Sequence, residues 1–414
     1  MQNLISGLHI FNDDKFIDTA IALFEELESN QEYYVIVPNS EYVFKHVKSP
    51  KAKKIVLDST KSFESFTSFI NKSDYSVVYF HALDRTKRKL LKNLSHKLVL
   101  VWFIWGYDLY NAWPVLQEKI YLMNTLRYIN RNRNNKVKVK NKLKKSYLSY
   151  RLFLYLYHNK YGFFTRKIYA LLANTHKTYY EAVKKISIVV PVVEDEMKWI
   201  DKMKLPAKFA PFRYVYLEQL LGFEYKNQKN VDGGNILVGN SAAPSSNHIE
   251  TFQALSQLNL NNRKIYVPLS YGGNTEYKNL VIEKGKKLLG GNFHPLVHFM
   301  PIEEYTNIIS SCGILIFNHI RQQGVGNIVA MGYLGAKIYL HKKSPVYSYF
   351  KNIGLTLFSM DQLTQKSLDV SLSNLQKEKN KIVLERQYGF SEVVSKVRKL
   401  EEMVDQEVKK NEKQ

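Results

Sequence analysis

The stretch ILIFNHIRQQGVGNIVAMGYLG, Ile314–Gly335, divides into three parts. A continuous apolar run ends at Phe317, a polar turn follows, and a helix opens near Gly324. An apolar run followed directly by a helix is the pattern of a strand in a parallel sheet that is covered on both faces. Gly324 and Gly326 remove side chains where backbone amides can face a ligand. The start of a helix carries roughly half a positive charge, which favours an anion, and Arg321 can add a two-pronged grip. Such a turn at the carboxyl end of a parallel strand suits a diphosphate. The same residues also describe an ordinary glycine-capped strand–helix turn. The candidates here are Asn318, Arg321, Gln322, Gln323, Gly324, Gly326 and Asn327.

The pattern repeats on both sides of this stretch. Apolar runs such as NILVGN, KIYVPLSYG, HPLVHFM and AKIYLH alternate with helical patterns through the second half of the chain. LISGLHIF, YYVIVP, KKIVLD, YSVVYFH and KLVLVWFIWG do so in the first half. The polar, glycine-ended segment 222–234 reads as a linker. These features predict an α/β protein of the GT-B type, with two doubly wound Rossmann-like domains facing across a cleft. Residues 1–221 form the first domain, with a basic, aromatic, helical insertion at about 115–180. Residues 235–363 form the second, and 364–414 a charged helical tail. At this point the GT-B assignment rests on fold-level analogy.

Other strand ends offer further candidates. NILVGNSAAPSSNHIE, Asn235–Glu250, closes a strand with Gly239, Asn240 and Ser241, and a serine or Asn247 can cap the following helix. MPIEEYTNII places Glu303, Glu304 and Tyr305 in the first turn of a helix, where acids complement the dipole and can also bind sugar hydroxyls. In the first half, VVYFH delivers His81, VWFIWGYDLYN delivers Asp108, and FNDDKF adds Asp13 and Asp14. Helix caps and satisfied loop residues are the alternative reading of each.

Composition narrows the partners. The formal net charge is +23, and residues 119–180 contain 15 Lys or Arg and no acid. A localised basic block marks an anionic partner. The aromatic residues among these cations suit a membrane interface, with Lys136, Lys138, Lys140, Lys142, Lys144, Lys145, Tyr147, Tyr150 and Phe153 as expected contacts. A single-stranded nucleic acid is the rival partner, disfavoured by two doubly wound halves. The lone Cys312 excludes a disulfide framework and a multi-cysteine zinc site, and no His and carboxylate spacing suggests a bound metal. No apolar run reaches the ~20 residues of a spanning helix, and the N-terminus does not read as a signal peptide. A soluble or membrane-surface protein of the cytoplasm is expected.

WGYDLY, VGNSAAPSSNHIE, MPIEEYTNIISSC and FNHIRQQGVGN together resemble, in order and spacing, motifs of glycosyltransferase family 56. These are the transferases of 4-acetamido-4,6-dideoxygalactose (Fuc4NAc) in enterobacterial common antigen synthesis. The resemblance implies a dTDP-linked deoxyamino sugar donor, a polyprenyl-diphosphate-linked saccharide acceptor, and work at the cytoplasmic face of the inner membrane. It places Gly239, Asn240 and Ser241 near the nucleotide sugar, Glu303, Glu304 and Tyr305 near ribose or base, and Arg321 to Asn327 at the diphosphate. His81 and Asp108 then lie beside the reacting centre. Neither cofactor nor metal is expected, because amides and Arg321 can take up the charge of the leaving phosphate. For an inverting reaction the expected base is Asp108, then His81, then Asp13. A retaining route leaves the base to the departing phosphate. Another nucleotide sugar, or an acceptor without a lipid, is the alternative within this fold.

Overall fold

The computed structural model describes residues 5–27, 29–132, 134–159, 162–231 and 233–413, without the side chains of 135–138, 140, 163–164 and 302–303. Two parallel sheets organise it. The first contains β1 (Ser6–Asn12), β2 (Asn30–Val37), β3 (Ala52–Val56), β4 (Val77–His81), β5 (Val99–Ile104), β6 (Ile188–Pro191) and β7 (Lys208–Phe209), in the order β3-β2-β1-β4-β5-β6-β7. The second contains β8 (Ile236–Val238), β9 (Ile265–Pro268), β10 (Phe293–Leu296), β11 (Ile314–Phe317), β12 (Lys337–Leu340) and β13 (Phe358–Ser359), in the order β10-β9-β8-β11-β12-β13. In each sheet the strand order reverses at the first strand, which is the doubly wound arrangement.

The sequence explains these positions. Every residue of β4, β5, β8 and β11 is buried, so both faces of these central strands must be apolar. The edge strand β3 carries the exposed Lys53 and Lys54, whose charges discourage pairing with another chain.

The chain forms two compact units, neither of them contiguous. One comprises residues 1–117, 139–215 and 391–414; the other comprises 118–138 and 216–390. Linker composition places a single boundary at 222–234, but pieces of chain are exchanged on both sides of it. The helix Met123–Ile129, inside the basic insertion, belongs to the second unit. There the Glu250 carboxylate accepts from the Asn124 and Thr125 amides at 2.7 and 2.9 Å and from the Thr125 hydroxyl at 2.7 Å. That carboxylate supplies the helix-start acceptor that Leu122 lacks.

The helix Phe390–Glu412 returns to the first unit. Val393, Val397, Leu400 and Val404 recur at helical spacing and are fully buried there. On the same helix Glu401 accepts a hydrogen bond from the Tyr79 hydroxyl, and Lys208 pairs with Glu407 at 2.5 Å. Burial pushes the Glu401 carboxyl up to about 7, against the opposing pull of Tyr79.

A raised carboxyl keeps its proton in the fold and loses it on unfolding. Its contribution to stability is therefore full below the ordinary carboxyl range and disappears as the pH rises to about 7. Urea unfolding at pH 5 and pH 8 is expected to show wild type losing about 2 kcal/mol more than Glu401→Gln across that interval. Parallel pH profiles for the two proteins would remove this account of the helix.

Candidate active site

The loops after β8 and β11 meet through one side chain. Gln323 donates from Nε2 to Asn240 Oδ1 at 2.6 Å and to the Ser241 and Ser246 hydroxyls at 3.3 Å. Its Oε1 accepts from the Ser245 hydroxyl at 2.7 Å and from Arg321 Nε at 3.0 Å. Both loops turn at residues with positive φ: Gly239 at +67°, Asn247 at +50° and Gly324 at +70°. Glycine is required twice over at 324, because a Cβ there would lie 2.5 Å from the Phe317 ring. Asn247 fixes its loop by donating to the Asn318 carbonyl at 2.9 Å and accepting from the Leu122 amide at 2.9 Å.

The helix Val325–Tyr333 begins at Gly324 with no side-chain cap on its first amides. Asn327 bonds the half-buried Tyr305, and Asn240 donates to the Tyr271 hydroxyl at 3.5 Å. In this turn Asn318 Oδ1 is buried without a hydrogen-bond partner among the described residues, and the His319 ring is fully enclosed. Burial first, and then Arg321 and His248, push the His319 imidazole down to about 3, so it stays neutral. An uncapped helix start, an arginine and neutral polar side chains make a mouth that can take an anion without bringing in a counter-charge. Among the expected donor residues, Gly239, Asn240, Ser241, Asn318, Arg321, Gln322, Gln323, Gly324, Gly326 and Asn327 are gathered on these two loops and the helix start. Tyr305 joins them through Asn327, Glu304 is exposed, and the Glu303 side chain lies outside the described residues. Among the described residues no three His, Cys, Asp or Glu converge as metal ligands.

At the first sheet, all three proposed bases are engaged in hydrogen bonds. Asp13 accepts from the amides of Lys45, His46 and Val47 at 2.6, 3.0 and 3.1 Å and from the Tyr42 hydroxyl at 3.0 Å. Burial raises its carboxyl, but these bonds outweigh that and hold it below its ordinary value. Asp108 is buried and accepts from Trp102 Nε1 at 2.6 Å, the Leu83 amide at 2.8 Å and the Trp105 amide at 3.0 Å. Burial raises it, offset in part by those same donors. Each of these carboxylates ties loops together with both oxygens.

His81 sits between the Phe11 and Phe103 rings, at 4.0 and 4.2 Å, and both of its nitrogens are engaged. Gln31 turns its amide nitrogen to Ser29 and Glu401, so its oxygen accepts from His9 Nε2 at 3.0 Å. His9 Nδ1 then accepts from His81 Nε2 at 3.0 Å, and His81 Nδ1 accepts from the Tyr214 hydroxyl at 2.6 Å. Burial, followed by His9 and Lys87, pushes His81 well below the usual histidine range.

The basic insertion also needs correction. Tyr150 and Phe153 belong to the core: they pack on each other and on His176 and Tyr180, and the Tyr150 hydroxyl donates to the Met203 carbonyl at 2.9 Å. A helix hairpin must bury one stripe of each helix, and these two residues, three apart, fall on that stripe. Lys145 Nζ bonds Gln117 at 2.7 Å, Lys144 and Tyr147 are half-buried, and Lys142 is exposed. The side chains of Lys136, Lys138 and Lys140 lie outside the described residues. Exposed apolar side chains of the insertion include Leu143, Leu148, Leu152 and Tyr155.

A sequence model described as "4-alpha-L-fucosyltransferase glycosyl transferase group 56" matches residues 182–391, half of the chain. The chain belongs to glycosyltransferase group 56. It is therefore a glycosyltransferase, and the anion mouth lies inside the matched segment. Solved structures support the fold. Sucrose-phosphate synthase from Thermosynechococcus elongatus superposes with a TM-score of 0.62 at 6% identity, over 96% of this chain and 99% of that one. HepE of Anabaena, solved with UDP and glucose, gives 0.57 at 11% identity over 97% and 100%. The lipopolysaccharide outer core galactosyltransferase WaaB gives 0.57 at 9% identity over 95% and 98%. At these identities the likeness shows the GT-B fold alone.

Sequence reasoning did not single out His319, Tyr271 or Tyr214, and of the adjacent Asp13 and Asp14 it named Asp13 as a candidate base. Tyr214 is far in sequence from the strand ends it packs on, so local spacing carries no signal for it. A test separates structure from catalysis at Asp108. Asp108→Asn sets an amide against three donors, and it is expected to lower unfolding stability by about 3 kcal/mol in urea titrations. Unchanged stability with lost transfer would return Asp108 to the reacting centre.

Proposed function

We propose that this group 56 enzyme moves a deoxyamino sugar of the Fuc4NAc kind from a dTDP-linked donor. The acceptor is a polyprenyl-diphosphate-linked saccharide of bacterial surface polysaccharide synthesis. The observation that carries this reading is the uncapped helix start at Gly324, with Arg321 and the Gln323 bonds beside it. The diphosphate rests against the amides of Val325, Gly326 and Asn327, and Arg321 pairs with its oxygens. Negative charge grows on the phosphate as the sugar leaves, and fixed dipoles of this kind stabilise it without reorganising. Protein amides and Arg321, rather than a metal ion, supply this stabilisation.

A lipid-linked acceptor keeps its reacting hydroxyl near a bilayer. No described helix is long and apolar enough to cross one. The outward face of the helix Tyr147–His158, with Leu148, Arg151, Leu152 and Tyr155 exposed, supports contact with the anionic inner face of the cytoplasmic membrane. Basic residues there contribute on the order of 1 kcal/mol each near anionic headgroups. No nucleic acid enters this scheme.

Two measurements test the proposal. A thermal-shift screen against dTDP, UDP, GDP and CMP is expected to show stabilisation by dTDP, with Arg321→Ala abolishing the shift and lowering transfer about 100-fold while leaving the ligand-free melting curve in place. Unchanged turnover in Arg321→Ala removes the diphosphate assignment. Flotation with phosphatidylglycerol liposomes is expected for wild type and lost in a Leu148→Asp, Tyr155→Asp variant. Equal flotation of the two argues for an acceptor without a lipid.

A further inference from the structure

Gln323 lies inside the second unit, in the turn between β11 and the helix Val325–Tyr333, and is 7% exposed. The family resemblance places it at the diphosphate, yet the protein itself occupies both sides of its carboxamide. The nitrogen faces Asn240, Ser241 and Ser246, and the oxygen faces Ser245 and Arg321. Its effect on a ligand therefore passes through neighbours that reach the surface. Asn240 and Arg321 are both partly exposed.

One of these bonds fixes the sense of the others. A guanidinium N–H only donates. Arg321 Nε, at 3.0 Å, therefore requires the oxygen of Gln323 on its side and not the nitrogen. The nitrogen then falls on the opposite side, and Asn240, at 2.6 Å, must meet it with an oxygen. This turns the Asn240 Nδ2 group away from Gln323. The described partner of that group is the Tyr271 hydroxyl at 3.5 Å, the outer limit of a hydrogen bond. Asn240 thus presents N–H donors, where an unconstrained asparagine could equally present its oxygen.

The neighbouring loop holds this edge in place. The Ala242 amide donates to the Tyr271 carbonyl at 2.8 Å, and a Cβ at Gly273 would collide with the Ala242 carbonyl. The loops after β8 and β9 are therefore pressed together beside Asn240.

We propose that Gln323 is a positioning residue for the donor nucleotide: it turns Asn240 so that N–H groups, and not the side-chain oxygen, meet the phosphoryl oxygens of the diphosphate. This rests on the transferase reading above. A diphosphate offers acceptors, so the direction in which Asn240 points decides between attraction and repulsion. Arg321 is held by the same carboxamide, so the two groups are set together. Gln323→Glu reverses the sorting. A carboxylate accepts on both sides; it keeps Arg321 and Ser245, but Asn240 must turn its Nδ2 inward and present its oxygen to the ligand.

The test is a double-mutant cycle on the full-length protein, with dTDP binding read by titration calorimetry. Asn240→Ala is expected to weaken binding about 10-fold and Gln323→Glu about 50-fold. In the Asn240→Ala background, Gln323→Glu is expected to weaken binding only about fivefold, because no side chain is left to turn and the added charge acts alone. An effect of Gln323→Glu that is the same in both backgrounds, or an affinity that it leaves unchanged, overturns the positioning role and leaves the transferase reading intact. If Gln323→Glu melts below the working temperature, Gln323→Met takes its place in the cycle. That variant releases Asn240 without adding charge, and its loss of about fivefold is expected to vanish in the Asn240→Ala background; a loss that persists there overturns the role. Wild type that binds none of dTDP, UDP, GDP and CMP overturns the transferase reading and the role of Gln323 with it.

Discussion

One amide side chain holds the second unit's anion mouth together. Gln323 bridges the loop after β8 and the loop after β11, donating to one and accepting from both. Those strands are neighbours because the sheet order reverses there, and a reversal leaves two loops diverging at the carboxyl edge. Without a bridge the gap would be filled by water and the loops would be free to move. With it, Arg321, Asn240 and the first turn of the helix Val325–Tyr333 keep fixed positions. Gly324 completes the arrangement, because only glycine fits both the positive φ and the approach to Phe317.

The first unit solves a different problem with the same kind of bonding. Its central strands bury His9 and His81 along with the apolar residues, and a polar chain satisfies both rings. The chain reaches from Glu401, on the returning C-terminal helix, to Tyr214. Each hydrogen bond fixes the direction of the next, so the Tyr214 hydroxyl has its proton pointed inward. A buried network of this kind is costly when any member is unpaired, and that cost keeps its members in one arrangement. Tyr214 is therefore linked to a helix contributed by the far end of the chain.

Much of the fold was legible before any coordinates. Apolar runs between helical patterns identified the central strands, because a strand buried on both faces has no polar side to show. The loops after β8 and β11 were legible as turns for a related reason: glycine and small polar residues directly after such a strand mark where the chain turns into a helix. The acids were harder. Asp13 and Asp14 are adjacent and chemically identical, and only the position of residues 45–47 decides that Asp13 faces amides. Asp108 looked like a reactive carboxylate because its partners, Leu83 and Trp102, come from a neighbouring strand end and from its own strand. In the basic insertion the composition marked the segment, but helix packing decided that Tyr150 and Phe153 point inward while Leu148 and Tyr155 point outward.

The sequence by itself determined two doubly wound halves, a glycine-opened helix beside Arg321, and a basic segment free of acids. Each of these is written in runs of neighbouring residues, where local periodicity and charge are sufficient. The tertiary structure alone decided which carboxylates are occupied, which aromatic rings of the basic insertion are buried, and where the last helix docks. Those outcomes depend on hydrogen bonds and ring contacts between residues tens to hundreds of positions apart, and no local pattern encodes which of several equivalent side chains will find a partner.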